Sequence, residues 1–254
     1  MKIINIASLV FLLGLITGCN TTTSPSEMFK GQPADQIFTE GEEALANARY
    51  SNAVQHFEAL DSLYPFDKHA EQALLDSIYA YYKSGDEASA VAAADRYLHL
   101  YPRSAHADYA YYIKGLANYD QDRSWFLRYL PIDWSERDLG TARQAFNDFS
   151  QLIRLYPTSR YVPDAKQRMI HLRNVLARSE IHVAQYYMQR GAYVAAANRA
   201  NYVVQHYQQT PSVADALVVM VKAYRQLGLT DRANEALRVL RLNFPNSPEI
   251  KKLG

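Results

Sequence analysis

The chain has 254 residues, of which 48% are hydrophobic and 21% are charged, so it carries enough apolar side chains for an extended core. Its 27 basic and 26 acidic residues give a net charge of +1, which argues against nucleic-acid binding because phosphate recognition needs a basic excess. The single cysteine excludes a disulfide within the chain.

The first 18 residues have the features of a bacterial lipoprotein signal peptide. Lys2 provides a positive start, and residues 3–16 form an apolar run that is too short to cross a bilayer as a mature helix. Ile-Thr-Gly stands directly before Cys19, as at a lipoprotein cleavage site. We therefore predict that residues 1–18 are removed and that Cys19 is lipidated, which would anchor the chain to a membrane. The alternative is a free or buried thiol.

The residues after the cysteine predict where the anchor lies and how it joins the domain. Asn20 stands where an aspartate would retain such a lipoprotein in the inner membrane, so we expect the periplasmic face of the outer membrane. Residues 19–33 include a stretch rich in Ser, Thr, Pro and Gly that holds too little apolar surface to fold alone. They are predicted to form a flexible tether.

A sequence unit that starts at a recurring landmark position is repeated five times. Alanine stands five residues after each landmark, and residues nine and twelve positions on fall on the same helical stripe. The sixteenth residue is always aromatic, and in four of the five copies a proline follows it and would end the helix. The landmarks are Ala48, Gly85, Gly140, Gly191 and Gly228, and the aromatic residues are Tyr64, Tyr101, Tyr156, Tyr207 and Phe244.

A second helical segment lies between each aromatic residue and the next landmark. These segments are predicted at 67–84, 104–119, 159–190 and 212–227. The repeated pairs predict an all-α fold, a superhelical solenoid of five tetratricopeptide-like helix pairs. The predicted divisions are 34–102 for the first two pairs, 103–157 for the third, and 158–254 for the fourth and fifth.

The spacing of the landmarks shows where extra chain is inserted. The intervals are 37, 55, 51 and 37 residues, so the two middle steps are long. The first surplus includes residues 120–138, predicted as a loop whose tryptophans either cap the third pair or face another lipoprotein. The second either lengthens the first helix of the fourth pair or splits it near residues 177–180.

No catalytic or metal site is predicted. The seven histidines are dispersed, with no two four residues apart on one helix, and no HExxH, GxSxG or P-loop motif occurs. We therefore expect no enzyme activity, no metal and no cofactor.

Tyrosines concentrate on the first helices of the second and third pairs. First helices line the concave side of such superhelices, and tyrosine combines apolar area with a polar tip, which suits a peptide-binding groove. The alternative is packing between repeats; Tyr81 and Tyr82 point about 100° apart, so at most one of them can be fully buried. The groove candidates are Tyr79, Tyr81, Tyr82, Tyr109 and Tyr112.

Several strings resemble the BamD (ComL) family of outer-membrane assembly lipoproteins. They include LYPF at 63–66, IYAYYK at 78–83, DYAYYIKGL at 108–116 and GAYVAAANR at 191–199, and with the signal peptide the resemblance covers nearly the whole chain. It implies a non-catalytic subunit of the β-barrel assembly machinery. The implied partners are the periplasmic domains of BamA, docked on the C-terminal half, unfolded outer-membrane β-barrel proteins in the N-terminal groove, and other lipoproteins of the machinery.

The Asn-Arg pair of the family falls on Asn198 and Arg199. The inward stripe of their helix leaves Asn198 on the opposite side and Arg199 on the flank. No acidic residue lies three or four positions from Arg199, so we expect no internal partner for it and hypothesise that it pairs with a carboxylate of BamA. The alternative is a solvated surface arginine.

Two other functions stay open on the sequence. A tetratricopeptide lipoprotein that serves as an adaptor for peptidoglycan enzymes would share the signal peptide and the repeats, and only the strings quoted above argue against it. A lipoprotein hydrolase would need a nucleophile beside a base, and no such set is visible.

Overall fold

The computed structural model describes residues 24–121 and 139–253. The predicted lipidation site Cys19 and residues 122–138 of the predicted insertion lie outside these ranges. The described residues form twelve helices and no strand, and they divide into two compact units, one that ends at Ala73 and one that begins at Leu74. None of these helices combines the length and the apolar character that crossing a bilayer would require.

The first unit is built on a helical hairpin. It contains α1 (Pro25–Met28), α2 (Ala34–Ala46), α3 (Tyr50–Leu63) and the start of α4 (Ala70–Ser84). Gly41 lets α2 approach α3 closely, because a Cβ there would lie 2.7 Å from Cε1 of Phe57. Phe29 is 6% exposed and its ring lies 4.5 Å from that of His56. Residues 24–33 are therefore folded, contrary to their prediction as part of a flexible tether.

The second unit continues with α4 and adds eight helices. From α5 to α11 each helix packs on the next, and α8 also packs on α10, which is the stacking expected of helix pairs. The predicted all-α fold of five tetratricopeptide-like pairs is confirmed. The helices are α5 (Glu87–Leu100), α6 (Ala107–Asp120), α7 (Gly140–Leu155), α8 (Val162–Gln189), α9 (Tyr193–His206), α10 (Ser212–Gln226), α11 (Thr230–Asn243) and α12 (Glu249–Leu253).

The repeated alanines lie in the core, and the repeated aromatic residues mark the ends of the second helices. Every alanine five residues after a landmark is at most 1% exposed. Every aromatic residue of the repeat stands directly after the last residue of its helix, and its N–H donates to the carbonyl four residues earlier. The alanines are Ala53, Ala90, Ala145, Ala196 and Ala233.

Four of the five landmarks are the turn residue between the two helices of a pair. Their φ angles lie between +56° and +82°, in the left-handed region that glycine adopts without steric cost. Gly140 differs, because it begins α7 after the insertion.

Helix boundaries differ from the predicted ones in one systematic way. The first helices of pairs two, three and four begin at Ala70, Ala107 and Val162, three residues later than predicted. The preceding residues form hydrogen-bonded turns. In the fourth pair α8 is a single helix of 28 residues, so the surplus lengthens it and does not split it.

Candidate functional site

The five candidate tyrosines lie on α4 and α6, and each is half-buried against the same core cluster. Neither Tyr81 nor Tyr82 is fully buried, in agreement with their predicted divergence. Each side chain therefore lies partly in the core and partly at the surface.

Two of these tyrosines are fixed by acidic partners. The hydroxyl of Tyr82 donates to Oδ2 of Asp120 at 2.8 Å, and that of Tyr112 donates to Oδ2 of Asp164 at 2.9 Å. Burial and the hydrogen bond to Asp164 raise the pKa of Tyr112 to about 12, and burial likewise raises the pKa of Tyr82. Both side chains stay neutral at physiological pH, and their rings are held in place.

Aromatic residues at the start of α8 and the end of α6 extend this surface. The ring of Tyr161 stacks on Tyr112 with centroids 4.6 Å apart and lies 5.7 Å from Tyr109. We name the whole surface the tyrosine face. Its members are Tyr79, Tyr82, Tyr109, Tyr112, Tyr119 and Tyr161.

Two arginines border the tyrosine face. Arg160 lies with Cζ 4.9 Å from the ring centroid of Tyr161 and donates to its hydroxyl at 2.6 Å. Arg168 lies 4.9 Å over the ring of Tyr119, and its Nε donates to Asp164 at 2.6 Å. Sequence reasoning missed these residues, because the tyrosine face assembles from three helices. The available signal was Tyr161 itself, an aromatic residue directly before Val162, the first residue of the first helix of the fourth pair.

The expectation that Arg199 has no internal partner is wrong. Its Nη1 lies 2.9 Å from Oε2 of Glu180 on α8, and Nη2 of Arg143 lies 3.4 Å from the other oxygen of the same carboxylate. The Glu180 side chain is 5% exposed, whereas those of Arg199 and Arg143 are 48% and 53% exposed. We name these three residues the arginine bracket. It holds a buried carboxylate between two accessible guanidinium groups.

Only part of the bracket could be found from the sequence. Glu180 stands 19 residues before Arg199 on a neighbouring helix, beyond the i±4 range that was considered. The available signal was an acidic residue next to the buried residues Ala177, Ile181 and Ala184 of α8. Asn198 is exposed on α9, as predicted.

Over residues 24–121 and 139–253, no group of three or more His, Cys, Asp or Glu side chains is placed to hold a metal ion. The geometry found there consists of aromatic surface, paired charges and close helix packing.

The sequence profile of a family described as outer membrane lipoprotein (YfiO) matches residues 30–249. The outer membrane protein assembly factor BamD of Neisseria meningitidis serogroup B (strain MC58) is 37% identical over 99% of this chain and 94% of its own length. The chain belongs to the BamD family. Its relatives include BamD of Vibrio cholerae, 36% identical over 91% of this chain and 95% of its own length, and BamD of Haemophilus influenzae, 31% identical over 99% and 98%.

Membership of the BamD family makes the chain an outer-membrane protein assembly factor and not an enzyme. Solved structures are less similar: a thermophilic TPR protein of Thermus thermophilus aligns over 87% of this chain and 96% of its own, with 16% identity and a TM-score of 0.37.

Proposed function

We propose that this BamD-family chain is a lipid-anchored adaptor at the periplasmic face of the outer membrane. Cys19 carries the anchor, Arg199 with Asn198 beside it docks on the periplasmic domains of BamA, and the tyrosine face holds unfolded outer-membrane β-barrel proteins. The observation that carries the proposal is the match to the lipoprotein family over residues 30–249, together with full-length relatives that are named assembly factors.

The chemistry of Arg199 supports the docking part of the proposal. A guanidinium has five N–H donors in a planar fork, and the ion pair with Glu180 is made through Nη1. The remaining donors are available to a carboxylate of a partner, since 48% of the side chain is exposed. Glu180 thus fixes the orientation of Arg199 before binding, and Asn198 adds an exposed amide beside it.

The tyrosine face supports the substrate part of the proposal. Strands of a β-barrel alternate apolar and polar side chains, so an unfolded barrel protein presents both classes along one extended segment. Half-buried tyrosine rings offer flat apolar area, and the exposed guanidinium of Arg160 adds a polar contact. Because hydrogen bonds fix Tyr82 and Tyr112, little side-chain entropy would be lost on binding.

The docking part is tested by titrating the purified periplasmic domains of BamA with wild-type chain, Arg199→Ala and Arg143→Ala. Both arginines contact Glu180, so the two variants disturb the bracket in comparable ways. We expect Arg199→Ala to weaken binding by about 2 kcal/mol or more, roughly thirtyfold, because it removes one partner of an interfacial charge pair. Arg143→Ala should stay within about 0.5 kcal/mol of wild type. Equal losses in both variants would contradict a direct contact by Arg199.

The substrate part is tested by photo-cross-linking to an unfolded β-barrel protein. A photoreactive residue at Tyr79 or Tyr109 should give cross-links that a residue at exposed Glu58 on α3 does not give. Equal yields at all three positions would count against a specific tyrosine face.

A further inference from the structure

The turn after α3 carries a fully exposed phenylalanine. The side chain of Phe66 is 99% exposed, the largest value among the exposed large hydrophobic residues of the described chain. It follows Pro65 in a turn whose closing hydrogen bond runs from the N–H of Asp67 to the carbonyl of Tyr64 at 3.0 Å.

The same turn recurs after each of the second helices, which allows a comparison within one molecule. In every copy the N–H of the fourth turn residue donates to the carbonyl of the aromatic first residue, at 2.9 to 3.1 Å. The third residue is polar in four copies and apolar only in the first. The residues at this position are Phe66, Arg103, Thr158, Gln209 and Asn246. The turn itself therefore does not require a phenylalanine.

The exposure of Phe66 is not caused by a loose loop. The hydroxyl of Tyr64 donates to the carbonyl of Gln32 at 2.6 Å. His69 lies with Nε2 2.8 Å from Oδ1 of Asp35, and its ring stacks on Phe38 with centroids 4.2 Å apart. Contacts on both sides of Phe66 thus fix the turn against residues 32–38.

The position of the turn in the chain indicates what covers Phe66. Ser24, the first described residue, follows the proposed lipidation site Cys19 by five residues, and five extended residues span at most about 18 Å. The anchor would therefore hold the first unit beside the bilayer, and this unit contains the one repeat turn with an apolar tip. Met28, in α1, is a second exposed apolar residue there, at 52%.

We propose that Phe66 inserts into the headgroup region of the anchoring membrane. The inference rests on the proposed lipidation of Cys19. The neighbouring charges are of both signs, since exposed Lys68 is paired with Asp35 at 2.8 Å and half-buried Asp67 directly precedes it. The contact is therefore apolar and does not depend on anionic lipid, and it gives the adaptor a second membrane contact that orients the first unit.

The test uses the lipidated full chain in phosphatidylethanolamine vesicles, with and without phosphatidylglycerol. Lipidation blocks the only native cysteine, so Phe66→Cys and Ala46→Cys each accept one nitroxide label. The turn that carries Phe66 is fixed against the start of α2. Ala46 is exposed at the opposite end of this helix, about 18 Å away along the helix axis at 1.5 Å per residue. Because the label is the same at both positions, its own affinity for lipid is matched. Circular dichroism checks that both variants are folded.

We expect the label at residue 66 to be at least about fivefold less accessible to a water-soluble nickel relaxant than the label at residue 46, and more accessible to oxygen, in both lipid mixtures. Flotation with the vesicles, lost in Cys19→Ser, reports the anchor separately. Failure of the wild-type chain to float would overturn both the anchor and the inference. Flotation with equal nickel accessibility at the two positions would overturn the membrane contact alone. The same result is expected if Phe66 is covered by another protein in the cell and not by lipid.

Discussion

Ala48 occupies a backbone conformation that glycine occupies in three other repeats. Its φ is +56°, and Gly85, Gly191 and Gly228 have φ between +71° and +82° at the same repeat position. A left-handed conformation costs a residue with a Cβ about 1–2 kcal/mol, while glycine loses more entropy on folding.

Ala48→Gly should therefore raise the free energy of unfolding by about 0.5–1 kcal/mol, because relief of strain exceeds the added entropy of the unfolded chain. Gly191→Ala is the matched control and should lower it by a similar amount, since no atom lies within 4 Å of a Cβ there and only the backbone is strained. Urea unfolding followed by circular dichroism measures both. A destabilised Ala48→Gly variant would show that the strain at Ala48 is negligible.

The arginine bracket predicts a non-additive pair of substitutions. Glu180 is buried and each arginine is half-exposed, so either arginine alone can still compensate the carboxylate. Arg143→Ala and Arg199→Ala should each cost about 1 kcal/mol, and the double variant about 3–5 kcal/mol, because it leaves a buried charge without a partner. Urea midpoints of the four proteins give the coupling. Simple additivity would contradict the shared role of the two arginines.

At the scale of the helices, the close packing of α6 on α7 in the third pair depends on one glycine. A Cβ on Gly115 of α6 would lie 2.5 Å from Cε1 of Phe149 on α7, and Phe149 is fully buried. At the equivalent positions of the second pair the large and the small residue are exchanged. Ile78 stands in place of the glycine and Ala94 in place of the phenylalanine, and both belong to the same core cluster.

Gly115→Ala should lower the free energy of unfolding by about 1–3 kcal/mol through overpacking, despite the better helix propensity of alanine. Phe149→Leu should recover part of this loss in the double variant, because it makes room for the added methyl group. Thermal and urea unfolding test this. If Phe149→Leu added its full cost to that of Gly115→Ala, the proposed contact would be wrong.

A buried carboxylate joins α5, α6 and α7. Oδ1 of Asp148 lies 3.1 Å from Nζ of Lys114, which also pairs with Asp95 at 2.7 Å, and Asn118 donates to Oδ2 at 2.7 Å. Burial raises the pKa of Asp148 above its ordinary 3.8, although Lys114 and Asn118 oppose the shift.

The sign of this pKa shift predicts a pH dependence. The folded chain binds more protons at Asp148 than the unfolded chain, so the stabilising contribution is complete below pH 3.8 and is lost as the pH rises through the folded pKa. Asp148→Asn keeps an acceptor for Asn118 and should remove this decline. Urea midpoints of both proteins between about pH 3.5 and 7 measure it. Parallel pH profiles would contradict the assignment.

The sequence predicts the helix pairs well because the pattern that specifies them is local. Alanine and aromatic positions recur at fixed offsets within one helix, so Ala90 and Tyr101 define α5 without knowledge of its neighbours. The functional surfaces depend on contacts between helices. Neither the Arg199–Glu180 pair nor the stacking of Tyr161 on Tyr112 follows from spacing within one helix.

At the scale of the whole molecule, each proposed contact has a different place along the chain. The first unit, which begins a few residues after the proposed anchor, carries Phe66; α4 and α6 carry most of the tyrosine face, and α8 with α9 carries the pair of Glu180 and Arg199. A non-enzymatic assembly factor can work in this way, by contacting the membrane, the substrate and BamA through different segments of its chain.

Depletion of the chain from growing cells tests the proposed role most directly. We predict that the amounts of many β-barrel proteins in the outer membrane fall together, before any change of cell shape, and that wild-type chain restores them while Arg199→Ala restores them less well. Quantitative proteomics of isolated outer membranes provides the measurement. Unchanged β-barrel proteins together with an early change of cell shape would contradict the assembly role and favour an adaptor for peptidoglycan enzymes.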